Sequence, residues 1–215
     1  MGGGHEARSR GPRGVSSGSP DGVRVGVLAL QGDFAAHTRA LAERGVSGIE
    51  VRTAAALEGL AGLVLPGGES TTMLNLMGGT AMAAPLVELM RGGIPVLATC
   101  AGVILLAREV HNPAQPSLGL LDVAVERNAY GRQIDSAVVP LEVLDRDALG
   151  DALEGVFIRA PRITAVGQGV AVLARRGADP VLLRQGRIVA ATFHPELSAA
   201  SPVLDLFTRM VRNGR

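Results

Sequence analysis

The amino-acid sequence predicts an α/β fold built on a mainly parallel sheet with helices on both faces. Three observations carry that reading. Through the first half, short runs rich in valine and leucine alternate with helical segments, the pattern of parallel strands joined by crossover helices. In the second half the runs become shorter and β-like, adding antiparallel strands and hairpins to that core. Finally, 215 residues with 47% hydrophobic content suffice to bury a core without metals or disulfides.

Residues 1–22 hold seven glycines, two prolines and four serines and almost nothing apolar. They bury too little surface to offset their ordering entropy, so they read as a disordered tail before a folded domain at 23–215. The tail has no apolar h-region of a secretory signal. VRVGVLAL (23–30) reads as a buried strand. Asp33 then N-caps a helix, DFAAHTRALAERG, that closes at Gly45. Residues 48–52 form a second strand and LAGLVLP (60–66) contains a third. Helical sequence runs from about Ser70 to Arg91, with Met73, Met77, Met82 and Met90 as core residues. IPVLAT (94–99) is a fourth strand and AGVILLARE (101–109) a helix. After His111 and the loop NPAQPS come LLDVAVER, AVVPLEVL, GVFIRA, AVLARR, PVLLRQ and RIVAATF, with a hairpin turn at Gln185-Gly186. The closing helix, PVLDLFTRMVRNG, puts Val203, Leu206, Phe207, Met210 and Val211 on one face.

Composition excludes several functions. All 21 basic residues are arginine. Without lysine there is no P-loop of the usual form and no Schiff base to pyridoxal phosphate or a carbonyl substrate. A net charge of +1 and five aromatic residues leave no footprint for nucleic acid. One cysteine and four scattered histidines give no disulfide framework and no zinc site. No apolar run reaches the ~18 residues that span a bilayer. The sequence therefore implies no metal, cofactor, nucleic acid or membrane, and a lone thiol suits the reducing cytoplasm.

Three stretches carry candidate chemistry. Cys100, in VLATCAGVILLA, sits where a strand meets a helix, with small residues Ala98 and Gly102 at −2 and +2. This is the pattern of a nucleophile elbow, whose sharp corner lifts the side chain above the sheet and aims helix-start N–H groups toward it. A buried cysteine serving as a small hydrophobe fits the same segment. In TFHPE, His194 and Glu196 are two apart, so on an extended segment they point the same way, about 7 Å apart at Cα. A carboxylate there fixes the imidazole tautomer and stabilises its charged form, although a strand-end histidine beside a solvated glutamate has the same spacing. In LPGGES, Gly67 and Gly68 let several N–H groups converge on an anion, and Ser70, Thr71 and Thr72 are placed to cap the next helix. An ordinary β–α turn has the same composition. Nucleophile, base, orienting acid and oxyanion donors together are the parts for thiol acyl transfer, and all three stretches follow strands, on the side where open α/β sheets bind ligands.

VGVLALQGDFAAH, LVLPGGESTTM, ATCAGVILLA, VERNAYGRQIDS, GVFIRAPRI and ATFHPEL, in that order, resemble the class I (triad) glutamine amidotransferases. The resemblance is closer still to the glutaminase subunits of pyridoxal 5′-phosphate synthase. The resemblance covers nearly everything but the tail. It implies a three-layer α/β/α sandwich with a mixed, mainly parallel central sheet. It also implies Cys100 as nucleophile, His194 as general acid/base and Glu196 as third triad member. Gly68, Glu69 and Ser70 match the glutamine-holding loop, Arg127 a glutamine-binding arginine, and Ile158 and Arg159 the remaining substrate contacts. The oxyanion falls to the backbone N–H groups of Gly68 and Ala101. Ala98 replaces a frequent glycine and Tyr130 a usual phenylalanine, neither at a site position.

The chain has nothing with which to use the ammonia it would release, so acceptor chemistry belongs to a partner. The resemblance names it as the (β/α)8-barrel synthase subunit, with L-glutamine as substrate here. His37 and the first helix read as docking surface for that partner, or as a plain surface helix. Two other readings compete: a glutaminase for another synthase, such as imidazole glycerol phosphate synthase, and a non-catalytic regulatory module of the same fold. The intact Cys100, His194 and Glu196 set argues against the second, and ERNAYGRQxDS and FIRAP against the first.

Overall fold

The computed structural model describes Met1 and residues 22–127, 129 and 137–214. Residues 2–21, and with them nearly all of the expected tail, lie outside the described residues, as do Asn128 and residues 130–136 of the ERNAYGRQIDS motif.

In chain order the strands and helices are β1 (Arg24–Leu28), α1 (Phe34–Ala42), β2 (Ser47–Val51), β3 (Gly62–Leu65), α2 (Ser70–Gly79), α3 (Ala83–Arg91), β4 (Val96–Thr99), α4 (Ala101–Leu106), β5 (Ala107–His111), β6 (Leu121–Glu126), β7 (Ala137–Pro140), β8 (Glu142–Val143), α5 (Arg146–Leu149), β9 (Glu154–Phe157), β10 (Arg162–Val166), β11 (Ala171–Arg176), β12 (Asp179–Gln185), β13 (Ile188–Ala191) and α6 (Pro202–Arg212). The main sheet has eight strands in the order β2-β1-β3-β4-β13-β12-β11-β8. The first five run parallel, and β12, β11 and β8 continue the sheet antiparallel. Two small sheets, β10-β6-β5 and β7-β9, flank it.

The central strands are buried on both faces, and alternate residues feed two cores. Leu63 and Leu65 of β3 and Val96 and Ala98 of β4 pack with Met73, Met77, Leu86 and Met90 of α2 and α3. Val64 and Leu97 point the other way, to Leu41 of α1 and Val203, Leu204 and Phe207 of α6. The result is the expected three-layer α/β/α sandwich, and the strand period of two is what divides it.

The structure departs from the sequence reading where tertiary pairing overrides local preference. The helical stretch 70–91 is two helices, bent by 104°. Gly78-Gly79 weaken the helix end, and Ala81 takes φ +50°, which turns Met82 into the core at 0% exposure. The expected helix 101–109 stops at Leu106, because Ala107–His111 pairs with β6 as a parallel strand. AVVPLEVL breaks at Pro140 into β7 and β8, which join different sheets. β10 and α5 were not anticipated, and RIVAATF runs parallel to β4 rather than wholly antiparallel. Asp33 occupies the N-cap of α1 without a side-chain capping bond. No single helix among the described residues is long and apolar enough to cross a membrane.

Candidate active site

Four strand ends on one side of the main sheet build the site. β4 ends at Thr99 and α4 begins at Ala101, so Cys100 makes the whole corner, at φ +48° and ψ −105°. That conformation is strained for a residue with a side chain. Its amide donates to Ala191 O of β13 at 2.9 Å, which ties the corner to the sheet. A Cβ on Gly102 would lie 2.1 Å from Leu65 O, so the small residue two places on is required by the close approach of β3. The strand therefore turns into the helix at a single residue, as a sharp corner.

β13 leads into Phe193 and His194. The His194 amide donates to Val156 O of β9 at 2.8 Å, and the Phe193 ring packs on Phe157 with centroids 5.5 Å apart. These contacts lock the residue before His194 to the residue before Ile158. His194 and Glu196 do not lie on an extended segment as expected. Residues Pro195–Leu197 form a 3₁₀ turn, which closes the pair so that His194 Nδ1 and Glu196 Oε1 are 2.7 Å apart. Cys100, His194 and Glu196 are all at most 8% exposed. Burial alone would lower the His194 pKa, but hydrogen bonds to Cys100 and Glu196 outweigh it and push it up to about 10. Burial disfavours the Glu196 carboxylate, yet its two imidazole neighbours, His37 and His194, hold it below the ordinary carboxylate range.

The Gly67-Gly68 loop follows β3. A Cβ on Gly67 would come within 2.6 Å of His194 Cε1, so only glycine lets this loop approach the imidazole. Gly68 has φ +145°, a glycine conformation, and its neighbour Glu69 donates its N–H to Gln31 Oε1 at 2.7 Å. Ser70 does not cap α2 as expected: Glu69 holds the N-cap position, and the Ser70 and Thr71 hydroxyls both reach Gln115 Oε1, at 3.1 and 3.2 Å.

These elements enclose a cavity of about 290 Å³. Cys100 and His194 form its buried floor, and Gly67, Gly68, Glu69, Ser70, Arg127, Ile158 and Arg159 line it with Ile104 and Asp33. Ile158 O lies 3.9 Å from Cys100 Sγ. Arg159 takes φ +46° and its guanidinium lies 3.8 Å from Glu69. Arg127 Nη2 donates to Thr71 Oγ1 at 2.9 Å. Ala101 is buried behind Cys100 as the first residue of α4 and does not line the cavity with its side chain. Among the described residues no group of three His, Cys, Asp or Glu side chains is spaced to hold a metal ion.

Sequence reasoning missed Gln31 and Gln115, and it misplaced His37. His37 is not docking surface: it is 0% exposed, 3.1 Å from Thr99 Oγ1 and 3.4 Å from Glu196 Oε2. Helical spacing held the clue, since His37 shares a face with the buried Ala40 and Leu41. Gln31 had a weaker one, as the first polar residue beyond a buried strand on the ligand side of the sheet. Gln115, in a loop far along the chain, had none.

Comparison with known proteins places this geometry in context. Residues 27–213 match the SNO glutamine amidotransferase family. The chain is 50% identical over 195 residues to a pyridoxal 5′-phosphate synthase subunit PdxT of Koribacter versatilis, covering 89% of this chain and 97% of that one. A protein of the same description from Thermotoga neapolitana is 47% identical over 191 residues, 88% of this chain and all of the other. A crystal structure of a glutamine amidotransferase superposes with a TM-score of 0.80 at 45% identity, covering 87% of this chain and 98% of that one.

Proposed function

Because the chain belongs to the SNO glutamine amidotransferase family, we propose that it is the glutaminase of a pyridoxal 5′-phosphate synthase. It hydrolyses L-glutamine to L-glutamate and ammonia through a cysteine thioester. The observation that supports this most directly is the strained Cys100 corner sharing one small cavity with His194, itself bonded to Glu196 at 2.7 Å.

The chemistry follows from those groups. Cys100 Sγ attacks the side-chain carboxamide carbon of glutamine while His194 holds the thiol proton. The resulting oxyanion is met by the N–H groups of Gly68 and Ala101. His194 gives its proton to the departing ammonia as the C–N bond breaks, leaving a γ-glutamyl thioester. His194 then takes a proton from water, which attacks the thioester; glutamate leaves and the thiol is restored. Glu196 keeps the imidazole in the required tautomer and supports its charge. Arg127 and Arg159 receive the substrate α-carboxylate, which arginine binds bidentately, and Glu69 receives its ammonium group.

The ammonia passes to a partner, the (β/α)8-barrel synthase subunit, in the reducing cytoplasm where Cys100 stays a thiol. The names of the relatives favour that synthase over imidazole glycerol phosphate synthase. We place the start of the folded unit at residue 23. Ammonia release from glutamine, measured with and without a barrel subunit, tests the assignment. Replacing the nucleophile, Cys100→Ser, should lower turnover on the order of 10⁶-fold. An unchanged rate in that variant defeats the enzyme reading. Activity indifferent to the barrel subunit defeats the assignment to pyridoxal phosphate synthesis.

A further inference from the structure

One enclosed titratable group has no part in the chemistry above. His37, on α1, is fully buried, with its Nε2 between Thr99 Oγ1 at 3.1 Å and Glu196 Oε2 at 3.4 Å. Glu196 Oε1 is engaged with His194, so Oε2 faces His37 and has no hydrogen-bond partner of its own. His37 Nδ1 is likewise buried without a partner. These facts choose the tautomer. A proton on Nδ1 would bury an N–H with no acceptor and turn the bare Nε2 lone pair toward a carboxylate. A proton on Nε2 points instead at the Thr99 hydroxyl and leaves its positive end 3.4 Å from the carboxylate oxygen, an electrostatic contact and not a hydrogen bond, and it is the favoured form on both counts. Burial, opposed by Glu196 and reinforced by His194, keeps the His37 pKa below the ordinary histidine value; Asp33 is the other charged group that bears on it.

We propose that His37 is a positioning residue for the glutaminase reaction, its Nε2–H steadying Glu196 Oε2 so that Oε1 stays aimed at His194 Nδ1. The proposal rests on the glutaminase reading. A glutamate carboxylate rotates easily about its last bond, and a donor behind it restricts that rotation. Thr99 immediately precedes Cys100, so the path from Cys100 through His194, Glu196 and His37 returns to the neighbour of the nucleophile. Two elements far apart in sequence, α1 and β4, thereby register the acid and the thiol against each other.

The test compares His37→Leu with His37→Gln in the full chain, with the barrel subunit present for turnover. His37→Leu should lower kcat roughly 10- to 100-fold through misplacement of the imidazole. KM for glutamine should stay within about twofold, since ground-state contacts are untouched. The alkaline limb of the pH profile should move to lower pH, because a less well-held Glu196 supports imidazolium less. His37→Gln, which keeps an amide donor near the Nε2 position, should recover most of kcat. A second readout needs no turnover: the pH dependence of Cys100 alkylation by iodoacetamide in the free chain should shift in His37→Leu and not in His37→Gln. Wild-type kcat and alkylation profile in His37→Leu overturn the proposal. So does equal loss in both variants with an unmoved alkylation profile, which is the mark of packing alone. If His37→Leu does not fold, His37→Asn, whose shorter amide falls short of Glu196, decides by the same criteria. A wild type without glutaminase activity defeats the functional reading and leaves the alkylation comparison standing as the test of His37.

Discussion

The floor and the rim of the cavity are built on opposite lines. Cys100, His194 and Glu196 lie at strand ends of the main sheet, nearly closed to solvent, and each is held by contacts to the sheet or to another member of the set. Glu69 and Arg159 stand on loops, with side chains 56% and 72% exposed, and the ion pair between them spans 3.8 Å. In the buried floor each polar contact acts at low dielectric and is strong; at the solvated rim the same charges are screened and cost little to separate. Bond-making needs atoms placed within fractions of an ångström before substrate arrives. Capture of a small zwitterion, the role proposed for the rim, suits long side chains that can adjust around it.

That contrast is open to attack, beginning at the floor. Gly67→Ala drives a methyl group to within 2.6 Å of His194 Cε1. Displacing the imidazole should lower kcat roughly 100-fold or more while KM changes little, as steady-state ammonia release will show. Only Cys100→Ser, described above, is expected to cost more. At the rim the split should reverse. On the proposed reading, Arg127→Ala or Arg159→Ala removes a charge-assisted contact to the substrate carboxylate. KM should rise roughly ten- to hundredfold with kcat within a few-fold, the size of a hydrogen bond to a charged group. A rim variant that loses kcat alone would erase the distinction between the two regions.

The smallest effect concerns stability. His194 titrates higher in the folded chain than the ordinary histidine value of 6.5, at about 10. The folded state thus binds the proton more tightly, and the stability this confers is complete below pH 6.5 and lost as pH rises through about 10. Glu196 has the opposite sign: its contribution is present at neutral pH and lost in acid. Because the chain has no lysine, few other groups titrate on the alkaline side. Thermal unfolding followed from pH 6 to 11 should therefore show a midpoint that declines with pH in the wild type and a flatter course in His194→Asn.

The floor was more legible in the sequence than the rim or its supports. Cys100 and His194 each follow an apolar run that reads as a strand, and small neighbours at Ala98 and Gly102 announce a tight corner. The layers were legible too, since β3 and β4 are apolar on both faces and α6 is apolar on one. The end of the helix after Cys100 was not, because Ala107, Arg108 and Glu109 are good helix formers and become a strand only through pairing with β6. Nor was the role of Gln115, whose oxygen meets Ser70 and Thr71 across 45 and 44 residues.

By itself, then, the sequence determined the alternation of strands and helices, the strand-end placement of the reactive residues and the glycines that permit close approach. Those are properties of short windows, where periodicity, chain stiffness and side-chain size act locally. The tertiary structure alone decided that His194 and Glu196 meet across a 3₁₀ turn, that Gln31 holds the glycine loop, and that the group His37 lies against is Glu196. Such contacts join residues up to 159 positions apart, from His37 to Glu196. Their distances depend on how the sheet and its covering helices pack together, and no local pattern encodes that.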